Sequence, residues 1–193
     1  MRILLLGMVF ALVAFAPASK KTGKIKGNDS FLKKGVSVFI EMDYSKTSLD
    51  GLDSEDEFIK YKRGKEKNTK EADKWEAAWK KDTESLLEYY QEYINKKCKK
   101  YPASFNIDNP KSEYKMVVQP IHIQTGTPIK GSSVETKLIF YKMDSNEEVA
   151  QVYIAESDGV QMGPMSPTTG MRVKIAFANS AAMFAKYYKG LMK

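Results

Sequence analysis

One imidazole and one thiol bound the side-chain chemistry open to this chain of 193 residues. A Ser/His/Asp constellation would have to use His122, and a thiol dyad would have to pair Cys98 with it. Neither position suits the role. His122 lies in an alternating apolar run beside Pro120, which reads as a strand, so a structural or surface histidine is expected. Cys98 falls in the last turn of a helical pattern, where the carbonyl end of the backbone dipole disfavours a thiolate. It reads as a small packing residue. A lone cysteine also excludes a disulfide framework and a cysteine-rich zinc site, and a lone histidine excludes a histidine cluster.

Carboxylates are more plentiful. Asp43, Asp50, Asp53, Glu55, Asp56 and Glu57 crowd one stretch. A calcium loop of the EF-hand type places acids at its first, third and fifth positions, with glycine sixth. Here Gly51 follows Asp50 directly, so the spacing fails. A solvated acidic loop is expected, with a looser cation site as the alternative. Two carboxylates that meet in space can hydrolyse a glycoside, but no spacing marks a pair. The phosphate-cradling patterns G-x-G-x-x-G and G-x-x-x-x-G-K-[ST] are absent, as is the nucleophile elbow G-x-S-x-G. No cofactor is implied, and no catalytic or metal-binding residue is assigned.

Aromatic and sulfur side chains are the residual feature. Trp75, Trp79, Leu86, Tyr90 and Ile94 share one helical face and are expected in the core. Tyr89 falls off that stripe. Met162 and Met165 stand in a Gly/Pro/Ser/Met-rich segment, where flexible methionines can line an adaptable groove. Tyr89, Met162 and Met165 are therefore the candidate binding surface.

These residues need elements to hold them. With 42% hydrophobic and 28% charged residues, the composition is that of an ordinary globular protein. A strand is predicted over residues 36–42, then a polar loop over 43–56, and a short apolar turn at Phe58, Ile59 and Tyr61. A single long helix is predicted over 71–100, capped by Asn68 or Thr69, with Glu71 completing a capping arrangement. Lysines crowd its far end and Pro102 lies just beyond. A short strand follows over 104–107, then a strand over 114–123. Pro120 cannot donate to a sheet ladder, so an edge or a bulge is required there. Strands 134–141 and 149–154 form a hairpin about a polar turn. After a loop over 156–169, a largely buried helix runs from Gly170 or Met171 to about Tyr188, capped by Thr169. The expectation is an α+β domain: a mixed, mainly antiparallel sheet of four to five strands packed against the long helix and the C-terminal helix.

The amino-terminal end has a different texture. Arg2 precedes an uncharged, mostly apolar run over residues 3–15, and Ala16-Pro17-Ala18 places small residues at −3 and −1 of a cut before Ser19. Ala14-Phe15-Ala16 also has small ends, but Pro17 follows that bond. Thirteen residues of helix span ~20 Å, short of a ~30 Å hydrocarbon core. Residues 1–18 thus read as a secretory signal peptide, 19–34 as a flexible Lys/Gly-rich arm, and 35–193 as a single α+β domain. No cysteine lies near the cut, so a lipoprotein anchor is not expected, nor is stable membrane insertion after cleavage. The formal net charge is +7. Its lysines are spread among glutamates and aspartates, and arginine, whose planar fork suits phosphate and base edges, is scarce. A nucleic-acid partner is therefore not expected.

The segments VSVFIEMDYSKT, SEYKMVVQPIHIQTG, VETKLIFYKMDSNEEVAQVYI and TTGMRVKIAFANSAAMFAKYY, together with the tryptophan-bearing helix, resemble in order and texture a group of uncharacterised exported proteins of Bacteroidales-type bacteria. The resemblance covers about residues 36–188. More distantly, the strand–helix–strand opening and the hairpin turning at Asp144-Ser145-Asn146-Glu147 look like the TolB amino-terminal and CsgG-like envelope accessory domains, whose turn usually reads D-x-x-T-G-E. What these resemblances imply is an exported protein, periplasmic or extracellular. Its role would be non-enzymatic binding or envelope assembly, with another envelope protein or an extracellular polymer as partner. The alternative is an exported hydrolase working through carboxylates. A deep pocket with convergent carboxylates or His122 would favour the enzyme; a flat apolar patch or open sheet edge would favour the binder.

Overall fold

The computed structural model describes residues 21–127, 130–159 and 167–193; the signal-like segment, Met162 and Met165 lie outside them. In chain order the elements are β1 (Gly23–Gly27), a 3-10 turn (Ser30–Lys34), β2 (Ser37–Met42), β3 (Ser48–Leu49), α1 (Glu55–Arg63), α2 (Thr69–Thr83), α3 (Leu86–Cys98), β4 (Ser104–Asn106), β5 (Tyr114–Thr127), β6 (Gly131–Lys142), β7 (Glu148–Asp158) and α4 (Thr169–Leu191). The strands form one mixed sheet of seven, in the order β1-β7-β6-β5-β2-β4, with β3 also paired to β5. The pairings β1·β7, β7·β6 and β6·β5 are antiparallel. Those of β2 with β4 and β5, and of β3 with β5, are parallel.

The α+β class agrees with the sequence, while the strand count exceeds the expected four to five by β1 and β3. The arm expected over 19–34 is replaced from Gly23 onward by structure. Its Gly/Lys run pairs with β7 from Gly23↔Tyr153 to Gly27↔Ala150. In the turn that follows, Phe31 and Leu32 are buried, and the Phe31 ring stacks on Tyr114 at 4.1 Å. Among the described residues, the sheet thus already includes Gly23–Gly27, ahead of residue 35.

The long helix is present but bent, divided into α2 and α3. Thr83 Oγ1 donates to the Trp79 carbonyl at 2.9 Å, a back-bond that competes with the helical ladder, and Ser85 leaves helical geometry at φ −107°, ψ 28°. Upstream, Asn68 accepts from the Glu71 N–H at 3.0 Å, as the spacing predicts. Helix α1 stands where a loop and a short apolar turn are expected. Ser54 Oγ accepts from the Glu57 N–H at 3.2 Å, and Glu57 Oε2 reaches back to the Asp53 N–H at 3.3 Å. Acids in its first turn and Lys60, Lys62 and Arg63 in its last complement the dipole. The cap of α4 is Thr168, one residue ahead of the expected Thr169.

One sheet face is covered by helices. Val38, Ile40, Met116, Val118, Leu138, Phe140, Val152 and Ile154 bury against Ala176, Phe177 and Phe184 of α4 and the α3 stripe Leu86, Tyr90 and Ile94. Tyr188 Oη ties the ends together, donating to the Leu32 carbonyl at 2.6 Å and accepting from the Ala103 N–H at 3.0 Å. On the other face, Lys115 pairs with Glu41 at 3.1 Å and lies over the Tyr141 ring. Val117 and Ile139, also on that face, are buried. The outer edges are a three-residue strand and a strand carrying Lys24 and Lys26, both forms that discourage edge-to-edge pairing.

Pro120 behaves as its chemistry demands. In the parallel β2·β5 register, Met42 faces Val118 and the Asp43 N–H donates to the Val118 carbonyl at 3.1 Å. The next ladder bond would come from the N–H of residue 120, which proline lacks. The chain leaves the sheet over residues 43–47 and returns as β3, pairing with His122 and Ile123 beyond a bulge. Thr47 Oγ1 takes up the Pro120 carbonyl at 2.9 Å.

Trp79 is 4% exposed and stacks on Trp75. Trp79→Ala should cost ~3–5 kcal/mol, as for other core aromatics, measured by urea unfolding. A loss below ~1 kcal/mol with an intact fold would mean that this helix face does not carry the docking.

Candidate functional site

The excursion over 43–47, the first turn of α1 and the end of α2 enclose a cleft of about 390 Å³. Its apolar lining is Leu49, Ile59, Trp79, Leu86, Ile123 and Val173, with Tyr44 at the side. Each piece has a local cause. Tyr44 and Thr47 are there because Pro120 expels that segment from the sheet. Asp53, Glu55 and Asp56 are there because Ser54 caps α1. Thr83 and Glu84 are there because α2 breaks.

Four carboxylates, Asp53, Glu55, Asp56 and Glu84, line the cleft against one cation, Lys80. That cation is committed elsewhere, since Lys80 Nζ pairs with Glu76 at 2.6 Å. Glu55 Oε1 accepts from Trp79 Nε1 at 2.6 Å, fixing one carboxylate against the aromatic wall. The four acids are all solvent-exposed. An otherwise basic chain therefore carries a negatively charged mouth over an apolar floor.

The remaining acids of that stretch are occupied. Asp50 accepts from the Thr125 N–H at 2.7 Å and pairs with Lys62 at 3.1 Å, fastening β3 to β5. Asp43 accepts from Ser45 and, at 2.9 Å, from Gln119 Nε2. Hydrogen bonds from Ser45 first, and Gln119 after it, hold its carboxyl below the usual carboxylate range. Among the described residues, no group of three or more His, Cys, Asp or Glu side chains is arranged to hold a metal ion.

The residues singled out from sequence fall elsewhere. His122 is exposed on β5, opposite Ser48 and Glu135. Cys98 is 2% exposed, within the core cluster. An enclosed thiol and a solvent-facing imidazole do not make a dyad. Tyr89 is half-buried on α3, away from the cleft lining, with its ring 5.2 Å from that of Tyr93 and Lys174 Nζ 4.8 Å from its centre. Met162 and Met165, its proposed companions, are outside the described residues. Sequence reasoning missed the cleft. The sign available was the Ser54-x-x-Glu57 capping pattern ahead of Phe58 and Ile59, which turns an acidic loop into an acidic helix start.

Comparison with known proteins finds no family model, no curated protein and no solved structure that matches the chain. Among the described residues, no helix is long and apolar enough to cross a membrane.

Burial pushes the Cys98 thiol up to about 12, so at pH 8 it is protonated as well as enclosed. A thiol reagent such as dithionitrobenzoate should react with the native protein only as fast as it unfolds, and at once in 6 M guanidinium. The raised value also sets a sign for stability: folding favours the protonated thiol, so this contribution holds below the ordinary thiol range and is lost as pH climbs toward 12. Stoichiometric reaction of the folded protein within seconds would place the thiol at the surface.

Proposed function

We propose that this is an exported, non-enzymatic binding protein whose cleft takes a peptide segment of a partner, inserting a lysine or arginine side chain flanked by apolar residues. The observation that carries this reading is the four-carboxylate rim over an apolar, tryptophan-walled floor, on a chain whose formal charge is +7. Apolar burial supplies affinity, and charge complementarity selects the basic segment and speeds its approach. An organic cation fits better than a bare metal ion, because the acids stand around an apolar floor and form no ligating group. The texture shared with exported Bacteroidales-type proteins supports an envelope or extracellular partner.

A carboxylate-dependent hydrolase is the second reading, favoured by the same convergence of acids. Such an enzyme needs one carboxyl kept protonated near neutral pH, which takes burial or a close like charge. Exposed carboxylates on a cleft rim serve as ionised attractors, and that favours the binder.

The test uses acetyl-Phe-Lys-Phe-Lys-amide, followed by tryptophan fluorescence. Binding should be saturable and weaken with added salt. It should fall about tenfold in the Asp53→Asn/Asp56→Asn double variant, whose core is untouched. Equal affinity for a peptide with glutamate in place of lysine, or no loss in the double variant, overturns the reading. Turnover of nitrophenyl glycosides or esters that vanishes in the same variant would install the hydrolase instead.

Export is proposed from residues 1–18, whose layout is that of a cleaved signal. Expressed in a bacterial host, the protein should be recovered outside the cytoplasm with Ser19 as its first residue. Recovery with Met1 intact, in a membrane pellet that resists salt extraction, would make that segment an anchor.

A further inference from the structure

On the far side of Trp79 lies a second cavity of about 390 Å³, walled by Trp75, Ala78 and Trp79 of α2, Gly126 and Thr127 at the end of β5, and the start of α4. Arg172 lines it and is 4% exposed. Its Nη1 donates to the Pro167 carbonyl at 2.8 Å, and its Nη2 to the Thr125 carbonyl and to Thr169 Oγ1, both at 3.4 Å. Its Nε is buried and has no partner. Among the described residues no carboxylate pairs with Arg172, and residues 1–20, 128–129 and 160–166 contain no aspartate or glutamate.

A guanidinium taken out of water normally recovers its hydration from an anion. Here only neutral oxygens meet it, and the Nε–H is left without a partner. The same spot is the positive end of a 23-residue helix with no acid in its own first turn. One carboxylate does approach. Asp82 of α2 accepts from the Thr168 hydroxyl and packs against Gly170, where an added Cβ would lie 2.6 Å from the Asp82 Cβ. Asp82 thus serves the cap on the Gly170 side and makes no ion pair with Arg172. Among the described residues, the apolar part of the wall is two indoles and the Ala78 methyl group, with Thr127 and the first turn of α4 completing it.

We propose that this cavity binds a small monocarboxylate carried on an apolar body, with the carboxylate on Arg172 and the body against Trp75, Ala78 and Trp79. A flat guanidinium edge matches a carboxylate, and the indole and methyl walls reward an apolar body that an inorganic anion lacks. The site is separate from the acid-rimmed cleft and is independent of that reading.

Both tryptophans of the chain line this cavity, so their fluorescence reports on it. Titration of the full chain with benzoate should give saturable quenching, with inorganic phosphate at equal ionic strength giving none. Arg172→Gln should weaken benzoate about tenfold or more. Ala78→Phe, which fills the cavity and leaves the guanidinium in place, should abolish binding and keeps the test decisive if the arginine variant does not fold. Absence of saturable quenching, unaltered affinity in Ala78→Phe, or tighter binding of phosphate than of benzoate would each overturn the assignment.

Discussion

The missing N–H of Pro120 shapes the cleft end of this molecule. A sheet strand of fourteen residues, β5, could have carried a continuous parallel neighbour along its length. It does not, because the ladder bond from residue 120 to the Asp43 carbonyl cannot be made. The neighbour is split into β2 and β3, and the five residues between them are pushed off the sheet toward α1 and α2. Thr47 and Gln119 then hold that excursion in one place through the Pro120 carbonyl and Asp43. A local inability to donate one hydrogen bond thus becomes a wall of the cleft, bearing Tyr44 and Thr47.

What the sequence made legible follows from how local each cause is. Periodicity over six or more residues marked the core strands and both helical regions, and Pro120 announced its bulge. Elements set by tertiary partners were not legible. β1 reads Gly-Lys-Ile-Lys-Gly, with the composition of an arm, and is a strand only because β7 presents an open edge to it. β3 is two residues long, below any periodic signal. The break between α2 and α3 depends on which carbonyl the Thr83 hydroxyl takes up, a choice helical spacing alone does not settle. The cleft was least legible of all. Its lining comes from the segment after β2, from α1, α2 and α3, from β5 and from α4, and nothing local links Asp53 to Glu84 or Ile123 to Val173.

The acidic stretch shows how one residue set answers two demands. Glu55, Asp56 and Glu57 sit where the dipole of α1 favours negative charge, so they are stabilising at the helix start whatever the cleft does. Because Phe58 and Ile59 turn inward one step later, the same turn is pressed against Trp79, and its carboxylates are delivered to the rim. Fold stability and site charge therefore share a cause, and no separate loop is needed to present the acids.

Trp79 stands between two spaces of opposite electrostatic character. Its Nε1 is held by Glu55 on the cleft side, while on the other side it walls the cavity with Arg172. An indole suits such a partition, being large and apolar with a single donor that needs one partner. With that donor satisfied by Glu55, nothing polar on the ring reaches toward Arg172, and the guanidinium is left to backbone carbonyls and a threonine hydroxyl. Those contacts tie Pro167 and the end of β5 to one side chain, and Gly126 and Gly159 hold the surrounding backbone so close that an added Cβ would meet Gly131 O at 1.4 Å and Arg172 O at 2.3 Å. A guanidinium in so tight a frame, 4% exposed, has little room to turn toward solvent. Pre-organisation of that kind lowers the cost of binding an anion, because the protein has already been held in the bound geometry.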